Sequence, residues 1–570
     1  MGLRIPQTDL TRMQRHKAVI GQLTKADLPV TLQQVREVPG KLRTPTSGIW
    51  TTYFHATQGR LAGFRRGWFH WFLAVAGLAI AACRTPSADL VITHVRLIDG
   101  TGGEARNASV RIRDGRILEV GELSPSNRDT VVDGQGMVLA PGFIDAHSHH
   151  LGYLGRHPDA LATASQGITT IVIGQDGSSE PMDSLQALFE RGGFAVNIAG
   201  YTGQTTLREQ AMGPDSLLRP ARPEEVDAMQ KLLRRELDKG SLGLSTGLEY
   251  EGAFYSTREE VLDLAKTTAQ AGGRYISHIR SEDLALDEAL DEIIDIGRAT
   301  GMPVQVSHIK IADRERWGKA GEVIARLEKA RREGVDITAD IYPYTFWNST
   351  LKVLFPDKRY DDLRSAQLAV DRLFDPDSSM LARFRPDTAY EGRMLGDIAR
   401  SRGETPAKTL LALVAAAKDY RARHPDADGV EAIAGKSMHE TDVRTFTRWP
   451  HTVICSDGNG GRHPRGFGTF PRVLGRYVRE AGILTLPEAI HKMTGLTARQ
   501  LGIPDRGLVR PGYPADLVLL DPDTVIDNAT LADGNAPSTG ILRVWVNGRL
   551  VFDKGKPTGN RSGRLVKRKS

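Results

Sequence analysis

Between residues 143 and 458, short β-rich runs return eight times, and amphipathic helical stretches separate several of them. The runs are FIDAHSHH (143–150), TTIVIGQDG (169–177), FAVNIAGYTG (194–203), GLSTGLEY (243–250), YISHIRSE (275–282), VQVSHIK (304–310), DITADIYPY (336–344) and TVICSDG (452–458). Helical patterns such as DLALDEALDEIIDIGRA (283–299) and GEVIARLEKARREG (321–334) lie between them. Eight strands alternating with helices predict an α/β fold of the (β/α)8, TIM-like barrel type rather than an open sheet. Such a barrel carries its chemistry at the C-terminal ends of its strands. Polar residues cluster at those ends: His147, His149, Asp176, His278, His308, Asp340 and Asp457. Residues about 350–430 break the rhythm and are expected to form an inserted helical lid or subdomain between strands seven and eight.

The flanks have another texture. DLVITHVRLIDG, ASVRIRDGRILEV and DTVVDGQGMVLA before the barrel, and PADLVLLDP and ILRVWVNGRLVFDKG after it, are β-branched runs punctuated by DG and NG pairs. These read as hairpins. Residues 84–142 and 504–570 are therefore expected to supply two halves of one β-domain around a barrel spanning 143–503. The basic end RSGRLVKRKS (561–570) reads as a solvated terminus.

Arg65 and Arg66 precede an apolar run, Trp68 to Ala82, that ends against Cys83. Positive charge, about 15 apolar residues and small residues before a cut point describe a secretory signal over residues 61–83. The run is too short and too abruptly ended for a comfortable spanning helix. Ile80-Ala81-Ala82-Cys83 resembles the bacterial lipobox, which makes Cys83 a lipidation site and the mature protein a periplasmic or cell-envelope lipoprotein held at the membrane by its lipid anchor. The plainer reading is a short anchor with an incidental cysteine. Residues 1–60 show neither clear periodicity nor motifs and read as an over-extended gene start or a disordered segment. Residues 1–82 hold 11 Lys and Arg against 3 Asp and Glu, leaving 64 against 66 in the remainder. The basic balance thus belongs to the leader, and no nucleic-acid partner is expected. Two cysteines, Cys83 and Cys455, cannot staple a chain of 570 residues.

His147 and His149 are two apart on a strand, so both side chains share a face, and such a pair can hold one metal ion. His278 and His308 lie 30 residues apart, about one βα unit, in the near-identical endings SHIR and SHIK. They are expected at equal heights on neighbouring strands. Asp457 follows the last strand, where a carboxylate beside an imidazole-held metal is suited to accept a proton from water. Four histidines with carboxylates favour zinc over magnesium or calcium, which want oxygen ligands. Water on such a zinc falls toward a pKa of about 7, and a polarised amide carbonyl is its natural target.

With APGFIDAHSHH, GLSTGLEYEGAFYST, YISHIRSE, VSHIK, ADIYPYT, ICSDG, HPRGFGTFPRVLGRYVRE, RGLVRPGYPADLVLLDP and VWVNG in this order, the chain from about residue 88 onward resembles the amidohydrolase superfamily. Within it, the chain resembles the N-acyl-D-amino-acid deacylase (D-aminoacylase) family. The resemblance implies a barrel flanked by a composite β-sandwich built from both ends of the mature chain. It implies a first metal site at His147 and His149, a tightly bound zinc on His278 and His308, and Asp457 as general base and acid. It further implies that Lys310, Tyr342 and Arg465 grip the substrate α-carboxylate, for which an Arg fork and a Lys point charge are suited. Two positions depart from the family pattern. Asp176 in GQDG stands where the family carries a zinc-touching Cys, and a carboxylate there can bridge two metals, though as a harder donor than thiolate. Gln204 in GYTGQTTLR stands where the family has a His.

The expected activity is zinc-dependent hydrolysis, with one or two ions, of the N-acyl bond of a small N-acyl-D-amino acid, releasing a carboxylate and a free D-amino acid. The same metal and Asp457 also suit a D-residue dipeptidase or a cyclic-amide hydrolase, since only the pocket separates these. A surface-anchored binding lipoprotein without catalysis is the alternative of a different class. The sequence does not speak to oligomeric state.

Overall fold

The computed structural model describes residues 89–569. The expectations for residues 1–60, for a signal at 61–83 and for lipidation of Cys83 lie outside the described residues. Among the described residues no helix is long and apolar enough to cross a membrane.

Five strands come first: β1 (Leu90–Leu97), β2 (Arg106–Arg113), β3 (Arg116–Gly121), β4 (Thr130–Asp133) and β5 (Val138–Pro141). Asp114 and Gly115, with φ of 50° and 79°, make the two-residue turn joining β2 to β3. That is the turn whose twist matches paired antiparallel strands.

The barrel follows with β6 (Phe143–Asp145), β7 (Ile168–Ile173), β8 (Asn197–Gly200), β9 (Thr202–Gly203), β10 (Gly243–Gly247), β11 (Arg274–His278), β12 (Val304–Val306) and β13 (Ile337–Ile341). β8 and β9 both come from FAVNIAGYTG and make one stave, interrupted at Tyr201. β7 is buried along its whole length, as strands covered on both faces must be. The outer helices are patterned to cover the staves: Pro223–Asp238, which packs by β9, buries Met229, Leu233 and Leu237, four residues apart on one face.

An insertion then intervenes, with β14 (Phe346–Ser349), β15 (Met380–Phe384) and β16 (Glu431–Lys436) paired antiparallel in the order β14-β16-β15. Helices including Pro406–Arg423 pack on it, around a separate core of Leu351, Phe355, Phe374, Leu381, Leu410 and Leu413. It carries a sheet as well as helices, and β14 and β16 extend it a few residues beyond the stretch that breaks the sequence rhythm.

β17 (Thr452–Ile454) returns to the barrel beside β13. Closure onto β6 is made by Asp457 N donating to His147 O (2.8 Å), His149 N to Gly458 O (2.9 Å) and Ser456 N to Asp145 Oδ1 (2.7 Å). On the other seam, Leu242 N donates to Gly200 O (2.8 Å), joining the β8 stave to β10.

The last strands are β18 (Leu517–Leu520), β19 (Ile541–Val546), β20 (Arg549–Asp553) and β21 (Lys556–Pro557). β18 pairs antiparallel with β5, so both ends of the described chain share one nine-stranded sheet, β21-β20-β19-β18-β5-β1-β2-β3 with β4 beside β1. Its own core contains Ile92, Leu97, Leu139, Leu517 and Trp545. Val138 and Ala140, on the opposite face of β5, join the barrel core. The basic end differs from the solvated terminus expected of it. Leu565 pairs in parallel with Ile198, Val566 is buried, and Arg568 N donates to Gly240 O (3.0 Å). The apolar Leu-Val pair inside the charge run is what holds it against β8.

Candidate active site

Each chemically active residue sits immediately past a barrel strand. His147 and His149 follow β6, Asp176 follows β7, His278 ends β11, His308 follows β12, Tyr342 follows β13 and Asp457 follows β17. Three of them, Asp176 (φ 57°), His308 (φ 34°) and Asp457 (φ 49°), hold left-handed backbone. Such a conformation costs roughly 1–3 kcal/mol and persists only where the surroundings over-determine it. Here the surroundings are specific. His308 N donates to Asp340 Oδ1 (2.7 Å), and Asp457 N donates to His147 O. Beyond Asp457, a Cβ on Gly458 would lie 2.6 Å from Gly466 Cα and 2.8 Å from His150 Cε1, so only glycine lets the loop pass.

The side chains converge as two clusters that share Asp176. In the first, His147 Nε2 and His149 Nε2 are 3.1 Å apart. Asp176 Oδ2 is 3.4 and 3.2 Å from those two nitrogens, and Asp457 Oδ1 is 3.7 and 3.2 Å from them. In the second, His278 Nδ1 is 3.1 Å from His308 Nε2, which lies 3.4 Å from Asp176 Oδ1. Four ligands about 2.1 Å from a tetrahedral zinc stand about 3.4 Å from one another. Both clusters fit that edge length. Asp176 Oδ1 is also buried with no hydrogen-bond partner, and the imidazole nitrogens that face one another in each cluster carry lone pairs a cation would satisfy. The first cluster offers four ligand atoms; the second offers three and leaves a fourth position open.

Charge in the site follows from this crowding. Burial pushes the His149 imidazolium down, but the Asp176 and Asp457 carboxylates win and raise it to about 9. Burial pushes Asp457 up, yet Arg465 and then His147 hold it well below the usual carboxylate range, so it is ionised at neutral pH. Asp176 is likewise held low against burial, by His147 first.

The three residues assigned to carboxylate binding also come together. Arg465 Cζ lies 4.8 Å, and Lys310 Nζ 5.9 Å, from the Tyr342 ring centroid. Arg465 Nη1 is 2.7 Å from Asp457 Oδ2, but its N–H does not point along that line, leaving a buried donor without a hydrogen bond. The Tyr342 hydroxyl has only Met438 Sδ at 3.8 Å. All three line one pocket with His278, His308 and Asp457, and the insertion contributes Trp347, Val353, Leu354 and Leu373 to its wall.

Two acids escaped the sequence reading. Glu249 Oε2 lies 2.8 Å from His278 Nε2. Glu282 Oε1 accepts from Lys310 Nζ (2.5 Å) and lies 2.9 Å from His308 Nδ1. A metal-binding imidazole needs a partner on its second nitrogen. That rule, applied to GLEY and to SHIRSE, is the signal that finds both acids. Lys310 is consequently tied to Glu282 and His308 Nδ1 (2.8 Å) as well as facing the pocket. Asp340 does not join either cluster; its Oδ1 stays 3.9 Å from His147 Nδ1 while it holds the His308 backbone. Gln204 is placed apart from the clusters, donating to Glu260 Oε1 (2.9 Å), which also pairs with Arg208. Cys455 is fully buried, which pushes its thiol well up.

Known proteins resemble this chain in sequence and in fold. The model of the amidohydrolase family matches residues 130–375 and 421–552, skipping part of the insertion. The D-aminoacylase of Alcaligenes xylosoxydans xylosoxydans is 34% identical over 507 residues, 84% of this chain and 98% of that protein. The N-acyl-D-glutamate deacylase of the same organism is 35% identical over 508 residues, 84% of this chain and 96% of that one. Among solved structures, the N-acyl-D-glutamate deacylase from Bordetella bronchiseptica, complexed with zinc and a phosphonate mimic of the tetrahedral intermediate, superposes with a TM-score of 0.75. It is 32% identical, covering 84% of this chain and all of that one.

Proposed function

The chain belongs to the amidohydrolase family, within its N-acyl-D-amino-acid deacylase group, and from that membership we propose that it hydrolyses the N-acyl bond of N-acyl-D-amino acids, using zinc, to give a carboxylate and a free D-amino acid. What carries the reading is the seating of Arg465, Lys310 and Tyr342 beside the two ligand clusters, with Asp457 in contact with both groups. His278, His308 and Asp176 would hold the zinc ion that polarises the substrate, since that cluster has an open position and Asp457 is outside it. Zinc there supplies electrophilic polarisation of an amide carbonyl and acidifies water.

The remaining steps belong to the chain. The unaligned Arg465 donor and the Tyr342 hydroxyl, engaged only by the weak acceptor Met438 Sδ, receive the substrate carboxylate, with Lys310 adding charge. Seating the carboxylate fixes where the amide lies, and orientation of this kind removes several kcal/mol of barrier. Asp457, ionised at neutral pH, takes a proton from the attacking water. It returns that proton to the amine nitrogen, which is too basic to leave unprotonated. Trp347 and the apolar side chains of the insertion form one wall of the pocket beside the substrate.

The test is a panel of N-acetyl-D-amino acids, their L enantiomers and D-residue dipeptides, with zinc measured on the same preparation. The expected result is turnover of the D series at least a hundredfold faster than the others. Preference for dipeptides, or zinc-loaded protein inert to every N-acyl amino acid, rules the reading out.

The site of action we propose is the cell envelope, with the protein exported and lipid-anchored through Cys83. Arg65 and Arg66, the apolar run to Ala82 and the Ile80-Ala81-Ala82-Cys83 string support this. Metabolic labelling with a fatty acid is expected to mark the native protein and not Cys83→Ser; equal labelling of both defeats it.

A further inference from the structure

Lys310, Tyr342 and Arg465 account for one carboxylate of the substrate. What else its α-carbon can carry is decided by the rest of the pocket. Asn348 O accepts from Arg465 Nη2 (3.4 Å), and Ala312 lies two residues past Lys310; both line the pocket. The wall that begins at these two points stands beside the carboxylate grip. A side chain on the α-carbon, one bond from the carboxylate, meets that wall.

The wall is apolar, and Trp347 is its largest member. Trp347 on β14 pairs directly with Gly435 on β16, and a Cβ on Gly435 would lie 2.5 Å from the indole Cζ2. The missing side chain lets the indole lie across the neighbouring strand. The ring also packs against the insertion core that contains Leu354 and Leu373. Trp347 and Val353 are only half-buried, so both keep surface for a ligand.

Charge points the same way. The lining contains four acids, Glu249, Glu282, Asp283 and Asp457, against two cations. Both cations are committed: Lys310 Nζ donates to Glu282 Oε1 (2.5 Å), and Arg465 with Tyr342 takes the α-carboxylate. Three lysines adjoin this wall in sequence, and none of them lines the pocket. Lys352 pairs with Glu251 (2.8 Å), Lys436 donates to Thr345 Oγ1 (2.6 Å), and Lys358 lies over the Phe254 ring (5.0 Å). A second carboxylate on the substrate therefore loses water and meets acids instead of a cation. A cationic side chain fares little better. Glu249 is engaged by His278, Glu282 by Lys310, and Asp283 accepts from Ser281 Oγ and Leu284 N.

We propose that the enzyme acts on D-amino acids with uncharged, apolar side chains of the leucine or methionine kind, and that Trp347 selects them. This rests on the deacylase reading above and narrows its substrate class.

The experiment is kcat/KM of the zinc-loaded protein for the Nα-acetyl derivatives of D-leucine, D-alanine, D-glutamine, D-glutamate, D-aspartate and D-lysine. Expected is leucine more than tenfold above glutamate, aspartate and lysine. Glutamine should also exceed glutamate, from which it differs in charge and hardly in shape. Trp347→Ala is expected to raise KM for the leucine substrate at least tenfold, with kcat little changed and the alanine substrate unaffected; an indole that served only the fold would weaken both alike. Val353→Arg, at a half-buried position, keeps the test open where Trp347→Ala does not fold, and should lift glutamate relative to leucine several-fold. Glutamate, aspartate or lysine within tenfold of leucine in wild type, equal losses on leucine and alanine in Trp347→Ala, or an unchanged ratio in Val353→Arg overturns the proposal and leaves the deacylase reading standing. Zinc-loaded protein that turns over none of the D substrates removes that reading and the proposal with it.

Discussion

The two ligand clusters share Asp176 and lie side by side, yet they are built differently. In the three-ligand cluster each imidazole has an acid at its back, Glu249 on His278 and Glu282 on His308. Both rings are almost fully buried. In the four-ligand cluster the second nitrogen of His147 has no partner, and the His149 side chain is 36% exposed. Carboxylates behind a ligand fix its tautomer and raise its basicity. The difference teaches that ligand count and readiness are separate properties. The cluster with fewer ligands is the one whose imidazoles are backed by acids, and the one with more includes Asp457, to which the proposed mechanism gives the proton transfer.

The contrast breaks most sharply by deletion. His278→Ala is expected to lose the zinc and all measurable turnover, whereas His149→Ala keeps one zinc per chain and a measurable rate. Metal analysis beside the deacylase assay decides it, and a His149→Ala protein stripped of zinc reverses the ranking of the clusters. Next in size is Asp457→Asn, which should retain zinc while kcat falls by about 10²–10⁴, the usual contribution of a positioned acid–base group. A variant within tenfold of wild type removes Asp457 from the mechanism.

The imidazoles and Asp457 were legible in the sequence because strand period and βα spacing carry them. Two histidines two apart share a face, and SHIR and SHIK one unit apart fall on neighbouring strands. The eight staves were legible for the same reason. What spacing does not carry is the partner of a partner. Glu249 and Glu282 are defined only by the ring nitrogens they approach, and Glu249 reaches His278 from a different strand end, 29 residues away. The buried tail was missed because net charge outweighs two apolar residues in a composition argument, whereas in the fold Leu565 and Val566 decide which side faces the barrel. The sheet inside the insertion was hidden because β14 and β16, which pair directly, are separated by about 80 residues.

Smaller effects sharpen the same contrast. Glu249→Gln keeps a hydrogen-bonding side chain behind His278 but removes its charge, and zinc affinity should fall about 10–100-fold. Competition against a chelator measures this, and unchanged affinity makes Glu249 a bystander. Zinc in excess of one equivalent is expected to slow the wild type a few-fold, because filling the four-ligand cluster engages Asp457. Rates that rise steadily through two equivalents contradict that division of labour.

The smallest effect reads the charge of Glu249 without touching the metal. Asp283 is buried beside it, and burial first, then the Glu249 carboxylate, raises Asp283 from 3.8 to about 6. The folded protein therefore holds this proton until about pH 6, while the unfolded chain releases it near pH 4. Between those values unfolding releases a proton, so stability falls as pH rises, and the full penalty is present above pH 6. Asp283→Asn cannot ionise and escapes the penalty. Relative to wild type, the variant should gain on the order of 1–2 kcal/mol between pH 4.5 and pH 7.5. Urea unfolding of both proteins at the two pH values measures it, and the comparison cancels whatever pH does to the rest of the molecule. Repeating it on a Glu249→Gln background should shrink the gain, since the neighbouring charge is gone. A gain that is the same at both pH values, or indifferent to Glu249, means that no acid charge stands behind the three-ligand cluster, and the asymmetry between the two clusters loses its cause.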